Sequence, residues 1–136
     1  MKAIVQEHPE GCALACAAML TNRNYSEIAG IAGMLDIHAG DKTLYSTTTP
    51  LRRLLNQLGV RLISGETAFA SWDTLPNKAL LATKWHIEEG LAMWHWVVFV
   101  GDENGGVVYD PAPYLEHPKR RDLSTIHPKW FIEVLP

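Results

Sequence analysis

WHWVVFVGDENGGVVYDP, residues 94–111, is the stretch whose reading decides the architecture. Two runs rich in β-branched and aromatic residues, WHWVVFVG (94–101) and GVVYDP (106–111), flank DENGG (102–106), which holds the turn dipeptide Asn104-Gly105. Such runs fit a pleated, half-buried surface, and Asn-Gly tolerates the positive φ angles of a tight hairpin turn. The segment therefore predicts two antiparallel strands. Successive side chains of a strand point to opposite faces, so His95 shares a face with Val97 and Phe99, while Trp94, Trp96 and Val98 face the other way. A loop over 102–105 would pair 101 with 106. Asp110 then lies on the His95 face, diagonally across from it, at about 7–8 Å between backbones. An odd loop or a bulge would swap the faces. Taken singly, His95 reads as a satisfied core histidine and Asp110-Pro111 as a turn at a strand end; only the hairpin joins them.

Outward from the hairpin, VRLIS (60–64), ALLATKW (79–85) and WFIEVL (130–135) also read as strands. The first 60 residues read as helices. CALACAAML (12–20) has no β-branched residue and is apolar on every side, which predicts a helix buried in the core. Asn22 and Asn24 are suited to break it. Ser26 can cap a second short helix over EIAGIAGML (27–35), weakened by Gly30 and Gly33. In the third, Thr48 or Thr49 can cap, Pro50 fits the first turn, Gly59 ends it, and Leu51, Leu54, Leu55 and Leu58 recur at helical spacing. Helices followed by an antiparallel sheet predict an α+β domain with the helices on one face of the sheet.

At 136 residues, with 47% apolar and 20% charged residues, the chain has the length of one domain (1–136) and enough apolar surface to fold without a metal or disulfide staple. The same composition excludes intrinsic disorder. A net charge of -3 argues against a nucleic-acid binder, and Lys119, Arg120 and Arg121 read as a solvated surface cluster. No run approaches the length of a membrane span. The apolar run at 12–20 follows Glu7 and Glu10, which argues against a signal peptide and for a cytoplasmic protein.

Two cysteines, Cys12 and Cys16, are too few for a disulfide framework. Cys12 should begin the buried helix, where unpaired N–H groups and the helix dipole favour a thiolate. On position alone the reading to prefer for Cys12 is a small core residue, and Cys16, one turn further in, reads as inert packing. A nucleophilic Cys needs an imidazole, and the imidazole needs an orienting group. His95 and Asp110 fill those roles. Gln6, six residues before Cys12, could join the Cys12 N–H in an oxyanion hole. His86 is a second candidate base, with no carboxylate on a predictable face. His8, His38, His117 and His127 fall in loops flanked by Pro or Gly.

With these residues in place, QEHPEGCALACAAML (6–20) resembles the nucleophile segment of the bacteriocin-processing cysteine peptidases, a papain-like family that cleaves leader peptides after a double glycine. The family's Gln precedes its Cys by six positions, as Gln6 precedes Cys12. Ala15, Cys16, Ala18 and Met19 match its helix, His95-Trp96-Val97-Val98 its base, and Asp110-Pro111 its third member. TTTPLRRLLNQLG (47–59) looks like its middle helix. Ala13 stands where the family usually has Gly, and Gly11 where it usually has a polar residue. The resemblance implies a papain-like fold, a Cys12–His95–Asp110 triad with Gln6 at the oxyanion, a peptide or protein substrate, and cleavage after Gly or Ala, with the Ala13 methyl narrowing the cleft. No cofactor or metal is required. The oligomeric state is not legible. Other classes share these residues: a deamidase, transglutaminase or ligase on the same triad, an inactive peptide-binding module, or a zinc site on Cys12, Cys16 and His95 that lacks a second ligand pair.

Overall fold

A computed structural model describes residues 1–136. Four helices come first: α1 (Cys12–Thr21), α2 (Tyr25–Met34), the single turn α3 (Thr43–Ser46) and α4 (Thr49–Gln57). Six strands follow: β1 (Thr67–Ala68), β2 (Lys78–Glu88), β3 (Leu91–Val100), β4 (Val107–Tyr109), β5 (Lys119–Arg120) and β6 (Trp130–Glu133). They form one antiparallel sheet in the order β1-β6-β2-β3-β4-β5. This is the expected α+β arrangement.

Helix α1 is buried from Cys12 to Met19. It stops at Asn22, whose φ of 55° takes the left-handed conformation that Asn tolerates. Asn24, not Ser26, caps α2: its side chain accepts the Glu27 N–H at 2.8 Å, and the Ser26 hydroxyl only donates to Asn24. Asn24, two residues upstream in extended conformation, takes the free Glu27 N–H, so α2 starts at Tyr25. In α4, Pro50 occupies the first turn as expected, and Leu51, Leu54 and Leu55 are buried. The main core lies between the helices and one face of the sheet, where Leu14, Ile28, Leu54 and Leu80 meet Trp94, Trp96 and Val98. A smaller cluster on the other face joins Leu81, Val97, Phe99, Val108 and Phe131 under Ile126.

Three strand expectations change. Residues 60–64 form no strand beyond a single bridge from Leu62 to Val134. β2 and β3 run further than expected and close on a two-residue turn, Glu89-Gly90, with φ angles of 52° and 80°. Positive φ at both central residues matches the twist of a tight hairpin. In the outer part of this ribbon the pairing shifts between Thr83 and His86, and Lys84 sits at φ 52°. β1 and β5, two residues each, had no counterpart among the expected strands.

No helix is long and apolar enough to cross a membrane.

Candidate active site

β3 and β4 pair Val98 with Tyr109, Phe99 with Val108 and Val100 with Val107. This is the even-loop register, so Asp110 falls diagonally across from His95 on the same face. Beyond Tyr109 the β3–β4 ladder has ended, while on its other side His95 is still paired with Thr83 of β2. His95 therefore sits where β3 is paired on its β2 side alone. Its Nε2 donates to Asp110 Oδ1 at 2.7 Å.

Asp110 is buried, at 2% exposure, and every part of its carboxylate is held. Oδ1 also accepts the Ala112 N–H at 3.1 Å, and Oδ2 accepts Arg120 Nη1 at 3.1 Å. Burial alone would raise its pKa, but the bonds from His95, Ala112 and Arg120 outweigh this and lower it. For His95, burial disfavours the cation, yet Asp110 and the neighbouring Cys12 sulfur overcome it and raise the pKa to about 9. The imidazolium is thus the form held at neutral pH. With Nε2 on Asp110, the ring's Nδ1 is the atom left for Cys12.

Cys12 opens α1 behind Gly11, which supplies no side-chain cap, and no acidic residue lies in the first turn. The positive end of the helix is therefore uncompensated at the sulfur. Gly11 is required by packing: a Cβ there would lie 2.0 Å from the Tyr25 hydroxyl, which is itself 2.7 Å from His8 Nδ1. The segment leading to Cys12 is tied to the aspartate loop by the Gln6 N–H, which donates to Pro111 O at 3.0 Å.

Gln6 is buried beside this segment, but its amide does not point a free N–H outward. Nε2 donates to His8 O at 3.1 Å and to Pro9 O at 2.8 Å, while Oε1 is buried without a partner. The Ala13 methyl lies in the core at 1% exposure, so it does not narrow a surface cleft. Cys16 is fully buried and its thiol is pushed up, chiefly by desolvation. His86 is exposed on the β2–β3 ribbon, bonded to Lys84 O and at 3.3 Å from Glu88. Glu88, two residues on, is the same-face carboxylate that alternation along a strand would supply. No group of three His, Cys, Asp or Glu side chains is placed to hold a metal ion, so Cys12, Cys16 and His95 do not form a zinc site.

Arg120 is the residue the sequence reading missed. It is not solvated like its neighbour: its side chain is 18% exposed, and its guanidinium bridges Asp110, Asp122 and Thr125. β5 pairs Arg120 with Val108, which puts it on the His95–Asp110 face. The bond to Asp122 holds that carboxyl well below its ordinary range. The only signal in sequence was parity along a two-residue strand reached through an irregular loop, and nothing local marks such a strand.

No protein-family model matches the chain, and a search of curated proteins finds no match.

Proposed function

We propose that this protein is a papain-like cysteine peptidase that cleaves a peptide bond through a Cys12–His95–Asp110 triad. The observation that carries the reading is a partly buried His95 ring held at 2.7 Å by a buried, fully bonded aspartate, beside a cysteine at an uncapped helix start. Supporting it, residues 83 and 15 positions apart in the chain are brought near one another, with the Cys12 sulfur raising the His95 pKa.

In this reading the Cys12 thiolate attacks the scissile carbonyl and forms a carbon–sulfur bond. The carbonyl electrons move to oxygen, where the N–H groups of the first turn of α1 face the new charge. His95 gives its proton to the leaving amine as the carbon–nitrogen bond breaks. Asp110 keeps the ring aimed. Water, deprotonated by His95, then attacks the thioester and releases the acid and the thiol. Gln6 joins the oxyanion hole only by releasing Pro9 O or His8 O, so its contribution belongs to the substrate-bound state. The family resemblance adds a double-glycine leader, or another small residue, before the cut.

The test is hydrolysis of a peptide library by the purified protein together with Cys12→Ala, His95→Ala and Cys16→Ala. The first two should abolish cleavage and the third should keep it. Cleavage that survives Cys12→Ala would sink the proposal, and release of ammonia without chain cleavage would move it to a deamidase.

A further inference from the structure

A cleft of about 360 Å³ opens on the sheet face that carries Asp110, between the outer part of β2 and residues 125–129. Its wall includes Asp110 and Thr83, the register partner of His95, so it adjoins the candidate dyad directly. The charges around it are one-sided. Lys84, Lys129, Arg120 and His127 line it, and Asp110 is the one acidic side chain there, already bonded to His95 and Arg120. Neither lysine forms an ion pair: the Lys129 ammonium lies over the Trp85 ring at 4.7 Å, and the Lys84 ammonium touches the Tyr114 hydroxyl. Two cations therefore stand uncompensated in a chain whose net charge is -3.

The backbone is bent to make this wall. The pairing shift after Thr83 inserts Lys84 and Trp85 out of step with β3, and Lys84 takes a φ of 52° although it is not glycine. Bulges re-aim side chains next to sites, and a long side chain in the left-handed region costs energy that the surroundings must hold. Here the distortion brings Lys84 and Trp85 to the wall of the cleft before the ladder resumes at His86 and Met93.

We infer that this cleft is a subsite for an acidic residue of the peptide substrate, with Lys84 and Lys129 receiving its carboxylate and Trp85 covering its aliphatic stem. The assignment deepens the peptidase reading, since it gives that site a preference for a Glu or Asp close to the scissile bond.

Binding can be read without catalysis. The Cys12→Ala protein is titrated with acetyl-tetraglutamate amide, with the tetraglutamine and tetralysine counterparts, and with inorganic phosphate, and followed by tryptophan fluorescence; Trp85→Phe identifies the signal. Saturable binding of the glutamate peptide is expected, weakened by salt, with the glutamine peptide at least about tenfold weaker. Lys84→Gln with Lys129→Gln should cost the glutamate peptide about tenfold or more and leave the glutamine peptide unchanged. Lys129→Gln alone should cost less, and it keeps the test open should the double variant not fold. Equal binding of the glutamate and glutamine peptides, glutamate binding indifferent to both lysines, or equal affinity for phosphate would overturn the subsite. Loss of hydrolysis with this binding intact would instead fall on the peptidase reading.

Discussion

Replacing Arg120 with Met tests how much of the site's integrity rests on one guanidinium. The substitution keeps most of the aliphatic stem and removes the donor to Asp110 Oδ2, which stands at 3.1 Å. That oxygen has no other partner, and Asp110 is buried. Losing a hydrogen bond to a buried charge costs about 1.5–3 kcal/mol. The bond to Asp122 adds little, because that carboxylate is 52% exposed and surface pairs are worth up to about 1 kcal/mol. At this chain length the melting temperature should fall by roughly 5–10 °C. Arg121→Met is the control: its side chain is 57% exposed and pairs with Asp102 on the surface, so the change should stay within about 0.5 kcal/mol. The pH dependence separates this account from simple loss of packing. Asp110 has a lowered pKa when folded, so the stability it brings is present above its unfolded value and is lost as pH falls through the folded one. Arg120→Met brings the folded value back up. The gap between wild type and variant should therefore be full at pH 7 and shrink once Asp110 is protonated in both. Urea denaturation at pH 7 and at about pH 3 reads this directly. A gap of the same size at both pH values, or Arg121→Met as costly as Arg120→Met, would refute the reasoning.

Other outcomes follow from the same site. Because His95 is raised to about 9, the proton it delivers to the leaving group is lost as pH rises through that value; hydrolysis measured against pH should have its alkaline limb there, and a limb near 6.5 would contradict it. Iodoacetamide should label Cys12 far faster than Cys16, whose thiol is fully buried and pushed up; peptide mapping of the alkylated native protein decides this. Gly11→Ala should cost about 1–3 kcal/mol through its clash with the Tyr25 hydroxyl, and Tyr25→Phe should relieve part of it; a double-mutant cycle with no coupling would remove the clash as the cause.

The hairpin of β3 and β4 was legible because parity is a property of the chain alone. The turn differs from the expected Asn104-Gly105 form, since Asp102 Oδ1 accepts the Asn104 and Gly106 N–H groups and the positive φ angles fall at Gly105 and Gly106, but it keeps the even register; alternation set the faces, and His95 and Asp110 came together without knowledge of any other element. Helix α1 and the first turn of α4 were legible for a similar reason, since the apolar run at 12–20 without β-branched residues, Pro50 and the leucine spacing act within a few residues. What was not legible depends on distant neighbours. Arg120 belongs to the site through a two-residue strand whose place is set by Val108, and its run with Lys119 and Arg121 looks uniformly solvated until that strand forms. VRLIS has strand composition but finds one bridging partner in Val134. Gln6 was expected at the oxyanion from its spacing to Cys12, but its amide is bonded to loop carbonyls at His8 and Pro9, and no spacing rule anticipates those. The Glu89-Gly90 turn escaped notice because Glu rarely opens a tight hairpin.

The order of strands carries a consequence for synthesis. β6, the last strand of the chain, lies between β1 and β2 in the sheet. While the chain emerges from the ribosome, every earlier element except β1, whose one sheet neighbour is β6, can assemble, but the flank of β2 along Ala79–Ala82 keeps its N–H and C=O groups open until residues 130–133 appear. That flank is apolar and buried in the finished fold, the kind of edge that recruits another chain. A nascent chain stalled a few residues short of Trp130 would thus carry the His95–Asp110 hairpin beside an adhesive edge, and β6 is the closure that ends this exposure.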